Sequence, residues 1–323
     1  MAFDGVLAAY AFDGVGGLTG RTHAPETQAG AAPAFEWTHY SATHPATERR
    51  LQVSGVPSGV IEALLEKNPT PRCEVREDGV LLVLRSVTLL TTTLPEELHT
   101  IRIWTDLKRV ITAQRHPVAA VADVEDLIRR GVVPETPGGL LTELAERLID
   151  RLDILIEAMI RDVDELEDAA LGPEWSRMSG SVAKLRLRAL SLRRAVAPQR
   201  EALSTLVIER PGWLLGEKER RDLRDTGTQV ARMLDDLNGI RERAALIDDQ
   251  LEVRRSADTN RNMLLLTMVT VGLAPLNLLS SMFGMNVGGI PGADLPGAFG
   301  WMAIAFALIG LATVFALSRI HRN

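Results

Sequence analysis

The chain has 323 residues, with 36 Lys+Arg against 42 Asp+Glu and a formal net charge of -6. That balance lacks the basic excess of a free-standing nucleic-acid binder, so no nucleic-acid partner is expected. A single cysteine, Cys73, excludes an intrachain disulfide, a cysteine-based zinc finger and an iron–sulfur cluster, and suits a reducing compartment.

Residues 1–33 are rich in Gly, Ala and Thr. The pentapeptide Ala2-Phe3-Asp4-Gly5-Val6 recurs at Ala11–Val15; two copies are too few for a repeat architecture. The N-terminus has no basic leader or long apolar run, so a secretory signal is not expected. Strand patterns follow at Phe35–Tyr40, Cys73–Arg76 and Val80–Val87, the last two flanking the hairpin turn Glu77-Asp78-Gly79. Ile101–Trp104 and Arg109–Gln114 read as a second hairpin, and Gly59–Asn68 and Val121–Arg130 as helices. Residues 1–135 are therefore expected to form an α/β or α+β cytoplasmic domain.

After Pro134 and the Pro137-Gly138-Gly139 break, the pattern becomes helical. Leu140–Ala170 places apolar residues at 141, 144, 148, 152, 155, 159, 163 and 166, a sustained amphipathic stripe. The same segment holds ten acidic and three basic residues. Its outer face reads as a solvated acidic surface or, more sharply, as one that gathers divalent cations. Ser176–Glu209 is a second long helix in which Pro198 predicts a kink. From about Thr228 the helical pattern runs on without a break to Phe283, so residues 136–261 read as a helical and stalk region.

The apolar residues are concentrated at the C-terminus. No charged residue occurs from Asn262 to Ala293, nor from Leu295 to Ser318. A bilayer core about 30 Å thick takes roughly 20 helical residues, and two spans qualify, at about 262–283 and 300–317. Arg254, Arg255 and Arg261 precede the first, and Arg319 and Arg322 follow the second. The loop 284–299 has no Lys or Arg, so the positive-inside rule predicts both termini on the cytoplasmic side and the loop outside. The lipid bilayer is thus an expected partner.

One face of the first span carries Asn260, Met263, Thr267, Thr270, Ala274, Asn277 and Ser281, polar or small apart from Met263. Such a stripe turns from lipid toward another helix or a water-filled path, and spacing alone leaves both readings open. One hairpin cannot enclose a path; a ring of identical first spans can, lined by oxygens that suit a hydrated cation. Leu266 lies near this face as a candidate constriction. His39 and His44 are the only close histidines, and their five-residue gap is a weak chelating signal. No catalytic triad or phosphate-binding loop is present, so no enzyme activity, catalytic residue or cofactor is expected.

The first span closes on Phe283-Gly284-Met285-Asn286. Gly-Met-Asn in this position, behind a long helix and before a second span, resembles the signature of the CorA metal-ion transporter family. Asn260, Met263, Leu266, Pro275 and Leu276 fall where that family has matching residues, and Trp37–Pro45 and Leu192–Glu201 also look like it. The stretch Val287–Gly292 resembles the bacterial ZntB zinc-transporter branch. The resemblance implies a funnel-shaped homopentamer in the bacterial inner membrane, each subunit an α+β cytoplasmic domain, long stalk helices and two C-terminal transmembrane helices. It implies an axial pore lined by Asn260, Met263, Leu266, Thr270, Ala274, Asn277 and Asn286. Ala274 departs from the bulky methionine often found at that level. Gly284, Met285, Asn286 and Asp294 would form the outer mouth, with Asn286 holding a hydrated cation. The transported ion implied is Zn2+, with proton coupling; Mg2+ or Co2+ transport, or a non-conducting metal sensor, are the alternatives.

Overall fold

The computed structural model describes residues 4–22, 33–87, 98–173, 175–209, 211–285 and 296–320. Seven strands form one mixed sheet: β1 (Val6–Phe12), β2 (Leu18–Thr22), β3 (Phe35–Ser41), β4 (Arg72–Val75), β5 (Val80–Val87), β6 (Leu98–Thr105) and β7 (Arg109–Gln114). The order is β2-β1-β3-β7-β6-β5-β4. The pair β3–β7 is parallel, with Trp37 opposite Val110; the other neighbours are antiparallel. Both predicted hairpins are present. Gly79 sits so close to the Trp104 ring and the Thr105 carbonyl that no side chain fits there.

Strands β1 and β2 were not expected from sequence. The repeated pentapeptide explains them. Its two Asp-Gly pairs bracket β1, and Gly5 and Gly14 have φ of +86° and +79°, the left-handed region that glycine enters without strain. Asp13 Oδ1 accepts from the backbone N–H groups of Val15 (2.8 Å) and Gly17 (2.7 Å), closing the β1–β2 turn. The repeat is turn chemistry at the two ends of one strand.

Helices cover both faces of the sheet, because each strand of its centre alternates apolar residues to both sides. On β5, Val80, Leu82 and Leu84 join one core while Leu81 and Val83 join the other. The smaller core lies under α1 (Ala46–Val53) and α2 (Ser58–Leu65). The larger lies under α3 (Ala119–Arg129), α4 (Pro137–Leu171), α5 (Ser179–Glu209) and the first part of α6 (Glu217–Phe283). A short 3-10 turn, Trp175–Arg177, precedes α5, which runs unbroken through Pro198.

The α4 stripe is buried as its spacing predicts: Leu141, Leu144, Leu148, Leu152, Leu155, Met159 and Val163 are each 2% exposed or less. Burying one such side chain contributes about 1.5–3 kcal/mol, whereas a like-charge pair on the outer face costs about 0.2–0.5 kcal/mol. The apolar seam therefore outweighs the repulsion of the acidic face. The Pro137-Gly138-Gly139 break proves to be the first turn of α4. Thr136 caps it by accepting from Gly139 N at 2.9 Å, and Pro137 occupies a position whose N–H would have no partner.

Helix α6 is 67 residues long, beginning at Glu217 rather than near Thr228, with Glu217 and Glu219 in its first turn. Through residue 251 its buried residues are Leu223, Thr226, Val230, Met233, Leu237, Ile240, Ala244, Ile247 and Leu251, a strict three-four spacing. The chain separates into two compact units, Met1–Asp248 and Asp249–Asn323. The second holds the remainder of α6 and α7 (Ala298–Ile320).

Candidate functional site

The C-terminal part of α6 has the length and composition of a membrane-crossing helix, with a mean hydropathy of 1.8 over a window that is nowhere buried. Helix α7 has 23 residues and contains the shorter apolar stretch Phe299–Thr313.

The two helices meet at Leu276 and Gly310, and the partly buried residues of each fall in line with that contact. Partial burial in this part of α6 falls on Met268, Gly272, Leu276 and Leu279, and in α7 on Met302, Phe306, Ile309, Gly310 and Thr313. Gly310 makes room for Leu276: a Cβ there would stand 3.7 Å from Leu276 Cδ1. The seam is apolar apart from Thr313, whose hydroxyl donates to its own helix at the Ile309 carbonyl, 2.7 Å away.

The predicted stripe lies on the other side of α6. At about 100° per residue, Met263, Thr267, Thr270, Ala274, Asn277 and Ser281 centre roughly opposite Gly272 and Leu276. All six, and Asn260, are exposed in the single chain; Met263 is 61% and the adjoining Leu266 68% exposed. The polar groups therefore do not glue α6 to α7. Thr267 Oγ1 donates to the Met263 carbonyl at 2.8 Å and Thr270 Oγ1 to the Leu266 carbonyl at 2.9 Å. With each hydroxyl hydrogen so engaged, both oxygens keep lone pairs for a water or a cation. Pro275, lacking an N–H, also frees the Val271 carbonyl one turn earlier.

The stripe continues beyond the residues expected from sequence. Ser256, Val253 and Asp249 extend the three-four spacing from Asn260 toward the N-terminus, and all are exposed. Asp249 adds a carboxylate to this face. Continuing the same spacing one further turn at a time finds it in the sequence. Gly284 and Met285 form the turn that ends α6. Asn286 and Asp294 lie outside the described residues.

The other candidates have structural duties. His39 is 3% exposed on β3, its Nδ1 2.7 Å from Thr112 Oγ1, which also accepts from Trp37 Nε1 at 2.9 Å. Burial pushes its imidazole down to about 4. His44 Nδ1 accepts from Ala46 N at the start of α1. The family-like segment Leu192–Glu201 lies on α5, where buried Gln199 accepts from the free backbone N–H of Arg85 at 3.0 Å. Several α4 carboxylates are engaged by partners on other helices. Asp162 is held by Arg188 of α5 and Asp164 and Glu167 by Arg243 of α6, while the α4 residue Arg151 pairs with Asp123 of α3. Among the described residues, no three His, Cys, Asp or Glu side chains converge to hold a metal ion.

Comparisons with known proteins agree with this arrangement. Residues 33–319 match the family model described as CorA-like Mg2+ transporter protein. The chain is 32% identical over 280 residues to the divalent cation transporter CmaX of Pseudomonas aeruginosa, covering 86% of this chain and 83% of that protein. It is 29% identical over 308 residues to the zinc transport protein ZntB of Pectobacterium carotovorum subsp. carotovorum, covering 94% and 91%. The solved structure of full-length CmaX superposes with a TM-score of 0.82 at 28% identity, covering 98% of each chain. The CorA magnesium transporter of Methanocaldococcus jannaschii superposes at 0.83 with 18% identity, covering 96% and 97%, a likeness of fold. With the family model spanning nearly the whole chain and a relative above 30% identity, this protein belongs to the CorA-like family of divalent cation transporters.

Proposed function

We propose that this protein carries divalent cations, Zn2+ foremost, across the bacterial inner membrane as a homopentamer, through an axial path lined by the α6 stripe. The single observation that carries the reading is the placement of the stripe opposite the α6–α7 seam. Polar side chains in a membrane segment need a polar neighbour. The chain's own second helix is on the wrong side to supply one, so copies of α6 facing a common axis are the remaining source.

In that assembly Asn260, Thr267, Thr270, Asn277 and Ser281 present oxygens to a hydrated ion, and Met263, Leu266 and Ala274 set the narrow apolar levels. Asn286 rings the outer mouth, with Gly284 and Met285 turning the chain into it and Asp294 adding negative charge. Asp249 does the same at the opposite end. Both termini face the cytoplasm, as the flanking arginines direct. The Gly-rich stretch after Asn286 and the zinc transport proteins among the relatives favour zinc. A second reading, Mg2+ or Co2+ transport along the same path, is favoured by the oxygen-dominated lining. In the stripe Met263 is the only soft ligand.

The test is metal uptake by liposomes containing the purified full-length protein, with and without a pH gradient. Zinc flux that rises with the gradient supports zinc transport with proton coupling. Magnesium flux without zinc flux would replace the first reading by the second, and no flux of either leaves a non-conducting sensor.

A further inference from the structure

The end of the sheet beneath α2 carries an excess of positive charge that the transport path does not use. Arg102 of β6 is 1% exposed. Its Nη2 donates to the Glu66 carbonyl at 2.6 Å and its Nη1 to the Thr100 carbonyl at 3.0 Å, both neutral acceptors. Arg115, one residue beyond β7, donates to the Leu65 carbonyl at 2.7 Å and, through Nε, to the same Glu66 carbonyl at 3.5 Å. Sharing one oxygen, the two guanidinium groups stand within about 6 Å of each other. A third, Arg85, lies on the same sheet face. It is paired with Thr100 across β5–β6, two residues from Arg102.

A buried cation is ordinarily matched by a carboxylate. Among the described residues, Glu66, whose charge also reaches Arg102, pairs with Arg72 at 3.1 Å, and Glu74 pairs with both Arg72 and Arg76. The Nε atoms of Arg85 and Arg102 are buried donors without an acceptor among the described residues. Burial and the nearby Arg115 charge push the Arg102 guanidinium down to about 10. The carbonyl end of α2 carries only a partial negative charge, about half an elementary charge. It is too little to balance two guanidinium groups.

We propose that Arg85, Arg102 and Arg115 form a binding site for a small oxyanion of the phosphate type in the cytoplasmic unit of this transporter. Arg85 and Arg115, both half-buried, give access, and Arg102 forms the floor. Forked guanidinium donors suit the tetrahedral oxygens of a phosphoryl group. The site is remote in sequence from the α6 stripe, so it stands or falls independently of the transport reading.

The experiment follows thermal unfolding of the full-length protein in detergent. Inorganic phosphate replaces chloride at constant ionic strength, for wild type, Arg115→Gln and Arg85→Gln. A saturable rise of the midpoint is expected in wild type, with apparent affinity reduced about tenfold or more in each variant. Should Arg115→Gln not fold, Arg85→Gln carries the comparison, since its Nε has no acceptor among the described residues. A general salting effect on the folded state rises without saturation and equally in all three proteins. That outcome, an equal saturable response in the variants, or no phosphate response in wild type overturns the proposal.

Discussion

Leu276 of α6 and Gly310 of α7 face each other at the point where the two C-terminal helices come together: a Cβ on Gly310 would stand 3.7 Å from Leu276 Cδ1. That separation is an ordinary van der Waals contact for one methyl group, so a longer side chain there must displace Leu276 or turn away from it. Gly310→Ala is expected to preserve the assembly and its stability. Gly310→Leu is expected to cost about 1–3 kcal/mol through overpacking. Midpoints of detergent-induced unfolding for the two variants check this pair.

Thr270 and Val269 are adjacent and both exposed in the single chain, yet only Thr270 lies on the polar stripe. Thr270→Val removes one acceptor oxygen at nearly constant volume. In the proposed path it lowers metal flux about tenfold, a change of about 1.4 kcal/mol, while Val269→Ala leaves flux near wild type. Initial uptake rates in liposomes at matched protein density distinguish the two, and equal rates would contradict the assignment of the stripe.

Glu146 of α4 is half-buried, with Glu143, Asp150 and Asp222 around it and Arg147 already bonded to Glu143 at 2.7 Å. Burial, and then these carboxylates, push its carboxyl up to about 7. The folded chain therefore binds a proton that the unfolded chain has released. The associated stability is fully present below the ordinary carboxylate range and is lost as pH rises through it to about 7. Glu146→Gln is expected to flatten that decline and to stabilise the protein at pH 8 by about 1 kcal/mol, allowing for partial solvent screening. Urea unfolding across pH 4–8 measures it.

Arg243 clamps two α4 carboxylates, donating to Glu167 through Nε (2.7 Å) and Nη2 (2.6 Å) and to Asp164. The guanidinium holds the Glu167 carboxyl below its usual range. This contribution is present above the unfolded carboxylate range and disappears as pH falls through the depressed value. Arg243→Ala is expected to cost no more than about 1 kcal/mol at pH 7, because the groups are substantially exposed, and nothing once both carboxylates are protonated. Arg243→Lys should recover only part, since a lysine cannot make the two-pronged contact.

Much of this molecule is legible in its sequence because burial imposes a period. The α4 leucines, the two hairpins and the charge-free C-terminal helix each repeat at the spacing of their secondary structure, so apolar residues alone identify them. Strands β1 and β2 escaped that reading because their segment is dominated by Gly, Ala and Thr. The Asp-Gly turns that define β1 are local backbone chemistry. The stripe on α6 was legible from Asn260 onward, and the same spacing carries it through Ser256 to Val253 and Asp249, where the run of hydroxyls and amides gives way to a valine and a carboxylate. The orientation of the stripe relative to α7 has no sequence signal, since Met268, Gly272, Leu276 and Leu279 differ little from the other apolar residues around them. Nor does a hydrophobic pattern reveal the arginines beneath α2. Register brings Arg85 and Arg102 together, and the turn after β7 adds Arg115.

The two threonines of the α6 stripe that bond back to their own helix bear on selection by sign. A hydroxyl free to rotate can greet either polarity of solute, offering its hydrogen to an anion or its oxygen to a cation. Thr267 and Thr270 have surrendered that choice to the carbonyls of Met263 and Leu266. In a ring of copies such hydroxyls would repel chloride and welcome a hydrated metal ion without a single ionised group within the bilayer, and without the desolvation cost such a group would bring.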